Sequence, residues 1–269
     1  MAAPPVVSEY LRDNMDEEAY QAAFAGTSPM LWRFVKGDET PVAAQHGAIF
    51  ARHERIALQI SGGKDSLTVL HAMRPWWDRL CVYWMNPGNP FPETVELMQN
   101  IRSMVPNFVE IAGHQKEIIE QFGWPSDVVP TNWTSDGQFV FGEKPFKVQG
   151  RLDCCWRSLM LPMHERMVAD GVTCIIRGKR ADEKDKTPTR TGTVMCGIET
   201  VYPLWDWSET AVFDYILKNN IKIPESYDHA THSLDCMDCT AWWGENLSKY
   251  LEAKHPEHHT EYVRRIVLI

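Results

Sequence analysis

Apolar positions in residues 1–54 recur at helical spacing. Tyr10, Leu11, Tyr20, Ala23 and Phe24 form one such set, and Met30, Leu31, Phe34 and Val35 a second. Pro41 is placed to open a third helix. This pattern predicts a helical segment that serves as a packing layer or an interaction arm. From Arg55 the texture changes, and short apolar runs alternate with helical patterns. Strands are predicted at 56–60, 80–85, 108–111 and 172–176, and helices at 66–73, 93–104 and 155–169. Such alternation implies an α/β fold with a doubly wound, mostly parallel sheet covered on both faces. Ligands of such sheets bind outside the carboxyl ends of the strands, so the chemistry is expected just after them.

Two stretches interrupt the alternation. Residues 122–151 carry Gly123, Pro125, Pro130, Gly137, Gly142, Pro145 and Gly150 and read as a long irregular loop. Residues 178–200 read as a second. A helix over 208–219 follows, with Ser208 as its N-cap and Phe213, Ile216 and Leu217 on the buried side. Residues 242–269 read as one or two helices interrupted near Pro256. The chain therefore divides into an N-terminal helical segment (1–54), an α/β domain (55–240) and a C-terminal helical tail (241–269).

At 269 residues the chain is long enough to bury a core without disulfides or metals. Its 44% hydrophobic and 23% charged residues are ordinary globular composition. A net charge of −9 argues against a global electrostatic grip on nucleic acid or on an anionic membrane, and leaves room for a local basic groove. No apolar run approaches the roughly 18 residues of a membrane span. The acidic N-terminus does not read as a secretory or transit signal. Seven cysteines without a signal suggest a reducing, cytoplasmic setting, where clustered thiols bind metal or do redox chemistry.

The strongest chemical signal is Ser61-Gly62-Gly63-Lys64-Asp65-Ser66, after the first predicted strand and before a helix. Glycines permit a sharp turn and a close ligand approach, while successive N–H groups and a helix N-terminus make an anion site. Lys64 and both serine hydroxyls add donors. The motif differs from the G-x-x-x-x-G-K-[ST] loop of ordinary phosphate-loop NTPases. The second signal is thiol. Cys154-Cys155 and Cys236-Met237-Asp238-Cys239 are two tight pairs separated by 80 residues. Four thiolates suit an iron–sulfur cluster or a structural zinc, and spacing alone leaves the two even. Adjacent cysteines on a regular helix diverge by about 100°, so the first pair hints at a helix end or a local distortion. Cys81 and Cys174, inside predicted strands, read as buried small hydrophobes. Cys196 lies in the 178–200 loop and reads as a bystander near the substrate end. In the basic run 177–190, Arg180 is the best candidate for an oxyanion, because its planar fork suits one. His255, His258 and His259 read as solvent-facing, and Trp205, Trp207, Trp242 and Trp243 as aromatic core.

These motifs resemble a known group. SGGKDS is similar to the pyrophosphate loop of the ATP-pyrophosphatase, or adenine nucleotide α-hydrolase-like, superfamily. Gly88-Asn89-Pro90-Phe91-Pro92-Glu93-Thr94 resembles the Gly-x-x-Phe-Pro-Glu-Thr of the phosphoadenosine phosphosulfate (PAPS) reductase family. Gly178-Lys179-Arg180-Ala181-Asp182-Glu183 resembles its Gly-x-Arg-x-x-Glu, and 202–207, Ile223-Pro224 and Tyr227-Asp228 its C-terminal half. The resemblance covers roughly 55–240. It implies an adenine nucleotide held by Ser61, Gly62, Gly63, Lys64, Asp65, Ser66, Gly88, Glu93, Gly178 and Arg180, with Lys64, Asp65 and Arg180 catalytic. It implies a 4Fe–4S cluster on Cys154, Cys155, Cys236 and Cys239, because CC-x80-CxxC is similar to the signature of iron–sulfur adenylylsulfate reductases. Sulfonucleotide reductases of this family attack with a cysteine near the C-terminus, yet residues 240–269 hold none. The intact loop is instead like that of members that cleave ATP. The reading expected from the resemblance is therefore ATP binding, with Mg²⁺, and adenylation of an acceptor with release of pyrophosphate, in the service of sulfur transfer. The acceptor would be a small molecule, tRNA or DNA, and a sulfur or electron donor protein a partner. The alternatives are a sulfonucleotide reductase acting on adenylylsulfate or PAPS, and a non-catalytic nucleotide-binding module.

Overall fold

The computed structural model describes residues 41–183, 189–230 and 233–269. The helical patterns predicted within residues 1–40, and Lys184 and Lys186 of the basic run, lie outside the described residues. The third predicted helix is present as α1 (Pro41–Arg52).

The α/β core then begins. β1 (Ile56–Ile60), α2 (Lys64–Ala72), β2 (Leu80–Asn86), α3 (Pro92–Met104), β3 (Phe108–Ala112) and α4 (Gln115–Phe122) follow one another, each within a few residues of the predicted bounds where one was predicted. The predicted 172–176 strand is shorter, β6 (Cys174–Ile176). Two further strands, β7 (Thr193–Met195) and β8 (Ile198–Val201), lie inside the segment read as a loop. Together they make one six-stranded sheet in the order β3-β2-β1-β6-β8-β7, parallel except for β7 at the edge. Alternation along β1 explains the two layers. Ile56, Leu58 and Ile60 enter one buried cluster with Leu67, Leu70 and Met98, while Ala57 enters the other with Tyr83, Met167 and Ile175.

β7 and β8 escaped the hydrophobic pattern for a physical reason. They are three and four residues long, too short to show a period. Their turn, Cys196-Gly197, has φ of 51° and 79°, as a tight two-residue hairpin demands. Similarly, the 122–151 stretch contains a two-stranded parallel sheet, β4 (Trp124–Ser126) with β5 (Val148–Gly150), and the helix α5 (Ser135–Phe141) capped by Thr134.

The helix predicted over 155–169 is longer and broken. α6 (Arg151–Cys155) passes through a π-type turn at Trp156–Met160 into α7 (Leu161–Ala169). Pro162 has no N–H to give the carbonyl of Ser158, and the Ser158 hydroxyl donates to the Cys154 carbonyl at 2.6 Å. The distortion that adjacent cysteines implied is therefore present, directly after them. α8 (Glu209–Lys218) starts on its predicted cap, with Ser208 Oγ accepting from the Ala211 N–H. The tail forms α9 (Leu247–Lys254) and α10 (Pro256–Leu268), broken at Pro256 as predicted, and packs on Phe91 through Leu247, Tyr250, Leu251 and Tyr262. Among the described residues no helix is long and apolar enough to cross a membrane.

Candidate functional site

The chain runs β1, β2, β3 to one side and then returns to place β6 on the other side of β1. The reversal falls between β1 and β6, and the crevice outside their carboxyl ends is where such a sheet binds ligands. Residues 61–66 leave β1 there and residues 177–183 leave β6.

The first loop is held by its own side chains. Ser66 Oγ donates to the Gly63 carbonyl at 2.9 Å and stands 3.3 Å from Ser61 Oγ, and the Gly63 N–H points at Ser61 Oγ at 3.3 Å. Gly62 turns the chain with φ of 83°, which only glycine adopts without strain. Gly178 shows why the second loop needs a glycine. A Cβ there would stand 2.7 Å from the Asp65 carbonyl carbon and 2.8 Å from the Ser66 nitrogen, so the two loops touch backbone to backbone. Glu183 folds the second loop, accepting from the Arg180 N–H at 2.8 Å and from Lys179 Nζ at 2.6 Å.

That contact assembles a charge cluster. Lys64 and Arg180 are both buried, at 5% and 4% exposure. Asp65 bridges them, accepting from Lys64 Nζ at 3.0 Å and from Arg180 Nε at 2.6 Å. Asp182 takes Arg180 Nη1 at 2.6 Å. Glu209, in the first turn of α8, lies 3.1 Å from Lys64 Nζ and 4.0 Å from Arg180 Nη2. Burial opposes the charged form of both cations, but the carboxylates, Asp65 foremost, outweigh it and hold both pKa values above their ordinary range. Two fixed cations at a switch point can receive an anionic group.

The C-terminal segment covers this loop. Tyr227 Oη accepts the Lys64 N–H at 3.0 Å, and the Phe213 and Tyr227 rings each lie 5.8 Å from Lys64 Nζ. A Cβ on Gly63 would meet Ser233 Cβ at 2.9 Å. Burial pushes the Tyr227 hydroxyl up to about 12, against the pull of Lys64, so it stays protonated at neutral pH. Glu209, Tyr227 and Ser233 were not singled out as site residues in the sequence. Only the position of Glu209 next to a helix cap gave it a place.

Of the residues expected to hold nucleotide, Ser61, Gly62, Gly63, Lys64, Asp65, Ser66, Gly178 and Arg180 come together. Gly88 and Glu93 make their contacts elsewhere. Gly88, with φ of 100°, abuts the Gly113 carbonyl, and Glu93 pairs with His255 Nε2 at 3.2 Å. The tail histidines are not solvent-facing as expected. His255 packs tilted against Phe91 and edge-on against Tyr250, His258 Nε2 lies 3.7 Å from Asp238, and His259 Nε2 lies 3.0 Å from Ser248 Oγ. Packing of α9 and α10 on Phe91 draws them in. Cys196 is also misplaced by the sequence reading. β8 runs parallel to β6, so the turn before β8 sits at the amino edge of the sheet, opposite the loops. Glu199 confirms this edge by pairing with Arg52 and His53, just before β1.

The four clustered thiols share one neighbourhood. Cys154 and Cys236 are buried, and Cys155 and Cys239 half-buried. Burial raises all four pKa values, and Cys154 and Cys155 raise those of Cys236 and Cys239 further. Cys155 is pushed up to about 12. A set of soft donors that destabilise one another's anions suits a centre that brings positive charge. Among the described residues, however, no three Cys, His, Asp or Glu side chains stand in metal-holding geometry.

Known proteins agree with this architecture. The family described as Phosphoadenosine phosphosulfate reductase domain matches residues 55–242. An adenosine 5'-phosphosulfate reductase from Neisseria meningitidis serogroup A is 24% identical over 250 residues, covering 82% of this chain and 96% of that protein. A phosphoadenosine 5'-phosphosulfate reductase from Gloeobacter violaceus is 22% identical over 213 residues, covering 76% and 79%. The crystal structure of phosphoadenylyl-sulfate (PAPS) reductase from Candida auris, a phosphate complex, superposes with a TM-score of 0.51 at 14% identity, covering 87% of this chain and 98% of that one, and shows the shared fold. With the family model matched over residues 55–242, more than half of the chain, this protein belongs to the phosphoadenosine phosphosulfate reductase domain family.

Proposed function

We propose that this protein is a sulfonucleotide reductase that binds adenylylsulfate or PAPS with the anionic end of the nucleotide between Lys64 and Arg180. The observation that carries this is the shared placement of those two buried cations at the β1/β6 switch point, 2.6–3.0 Å from the one carboxylate of Asp65. The names of the relatives support it over the ATP-dependent adenylation expected from the intact loop. In the reaction a thiol sulfur attacks the sulfur of the substrate, and the nucleotide phosphate leaves as AMP, or as its 3'-phosphorylated form. A second thiol then displaces sulfite, leaving a disulfide and two protons. Lys64 and Arg180 neutralise the charge that gathers on the leaving phosphate. In this reading the thiols come from an external dithiol or from two monothiols, since the exposed Cys196 sits at the opposite edge of the sheet.

Cys154, Cys155, Cys236 and Cys239 would hold a 4Fe–4S cluster, which when bound supplies positive charge to four otherwise disfavoured thiolates. Tyr227 and Ser233 pack against the proposed nucleotide loop and hold its backbone in place. The test is anaerobic incubation with adenylylsulfate, and separately with PAPS, plus a dithiol, assaying sulfite and AMP or its 3'-phosphate. Sulfite release is expected, and its absence with both substrates overturns the reading.

A second reading has one observation in its favour. The loop keeps both glycines, Lys64 and Ser66, and Asp65 and Glu209 are carboxylates suited to Mg²⁺ beside a polyphosphate. It predicts pyrophosphate from ATP once a sulfur acceptor, a small molecule, tRNA or DNA, is supplied.

A further inference from the structure

Glu209 is absent from the nucleotide motifs, yet it reaches both of their cations. Its Oε1 lies 3.1 Å from Lys64 Nζ and 4.0 Å from Arg180 Nη2. Lys64 and Arg180 side chains are 6% and 4% exposed, Asp65 20% and Glu209 29%. Asp65 is fixed by the loop it belongs to, with one oxygen on each cation. Asp182 is half exposed and reaches Arg180 alone. Glu209 comes from a different element, α8, and is the more open of the two carboxylates shared by the pair. Among the described residues, Lys64 and Arg180 therefore already face Asp65, Asp182 and Glu209, and an arriving nucleotide anion meets cations that are already paired.

We propose that Glu209 is an affinity-setting residue. It occupies the anion's place on Lys64 and must yield it, so it weakens the binding of every anionic nucleotide and weakens the more highly charged ones most. Glu209→Gln keeps the shape of the side chain and an oxygen facing Lys64 and removes only the negative charge, so the packing of α8 is preserved. This inference rests on the reading that Lys64 and Arg180 receive the nucleotide's anionic group.

The experiment is calorimetric titration of the full chain, without divalent cations, using adenosine, AMP and adenylylsulfate. Wild type is compared with Glu209→Gln and Lys64→Met, and melting temperatures are recorded. In Glu209→Gln, AMP and adenylylsulfate should bind about tenfold tighter, and adenosine unchanged. KM for adenylylsulfate should fall with kcat unchanged or lower, a split that a loosened structure would not produce. Unchanged or weaker AMP binding in a Glu209→Gln protein of wild-type melting temperature overturns the inference. If Lys64→Met leaves AMP binding untouched, the site assignment itself falls. If Lys64→Met weakens it while Glu209→Gln fails to strengthen it, the site stands and only the role of Glu209 is lost.

Discussion

The crevice at the β1/β6 switch point and the thiol neighbourhood solve opposite electrostatic problems. In the crevice, buried charges of opposite sign satisfy each other at 2.6–3.1 Å, so its geometry is complete within the chain. At the thiols, the ionised forms would share one sign, and burial and mutual repulsion raise every pKa. Burial therefore favours the neutral thiols, and only thiolates holding the proposed cluster would need a counter-charge from outside. The contrast teaches that the first site is preorganised by folding, whereas the second would become ionic only with a bound centre.

The hardest blow to the crevice is Gly178→Val. Its Cβ would stand under 3 Å from backbone atoms of Asp65 and Ser66, which cannot move without the loop. AMP affinity should fall at least about a hundredfold, with a stability loss of about 1–3 kcal/mol typical of overpacking. Calorimetry and thermal melting check it, and a variant that binds AMP normally would show that the two loops need not touch.

The thiol side is tested by Cys236→Ser in anaerobically prepared protein. Iron should drop from about four per chain to near zero. AMP binding should change by less than about threefold, because the charge cluster is self-sufficient. Iron analysis and calorimetry on one sample measure both. Retained iron would remove Cys236 from the ligand set, and colourless protein with one zinc per chain would replace the cluster with zinc.

Metal-free protein offers a smaller effect of the same origin. With its thiol pushed up to about 12, Cys155 is about one part in ten thousand thiolate at pH 8. The exposed Cys196 should alkylate first, and the four clustered cysteines only slowly, as peptide mapping after iodoacetamide would read. Rapid labelling of Cys155 would mean that the neighbourhood opens to solvent.

The smallest effect lies in the tail, outside both regions. Hydrogen bonds from Arg264 and then Arg265 hold the Glu261 carboxyl down at about 2. Its stabilisation is present above the unfolded value of about 4.3 and is lost as pH falls through 2. Glu261 is 40% exposed, so screening keeps the contribution below about 1 kcal/mol. Glu261→Gln should lower the melting temperature at pH 7 by about 1–2 °C and remove that part of the pH dependence between 4.3 and 2.

Sequence and structure agree most closely where pattern and chemistry coincide. β1 and β2 are largely buried runs of five and seven residues, β3 is a short run rich in apolar residues, α3 carries helical periodicity after Pro92, and α8 adds a cap at Ser208, so each was legible. The 61–66 loop and Arg180 were legible because a strand–loop–helix with glycines, lysine and hydroxyls is a specific anion-binding pattern. β4, β5, β7 and β8 were not, because three or four residues hold no period. The Glu93–His255 pair and the packing of the tail histidines were not legible, because these contacts arise from α9 and α10 folding back onto Phe91, more than 150 residues away.

By itself the sequence determined the α/β class, the parallel core strands, the cation-bearing loops and the pairing of cysteines in two motifs, since each is a local property of adjacent residues. Only the tertiary structure decided that Gly178 seats one loop on the other, that Glu209 stands beside Lys64, and that Tyr227 packs over the loop. It also decided that Cys196 lies at the wrong edge of the sheet. Those outcomes depend on strand order and direction, and on approaches between segments more than 100 residues apart that leave no room for a Cβ at Gly178, which no local pattern encodes.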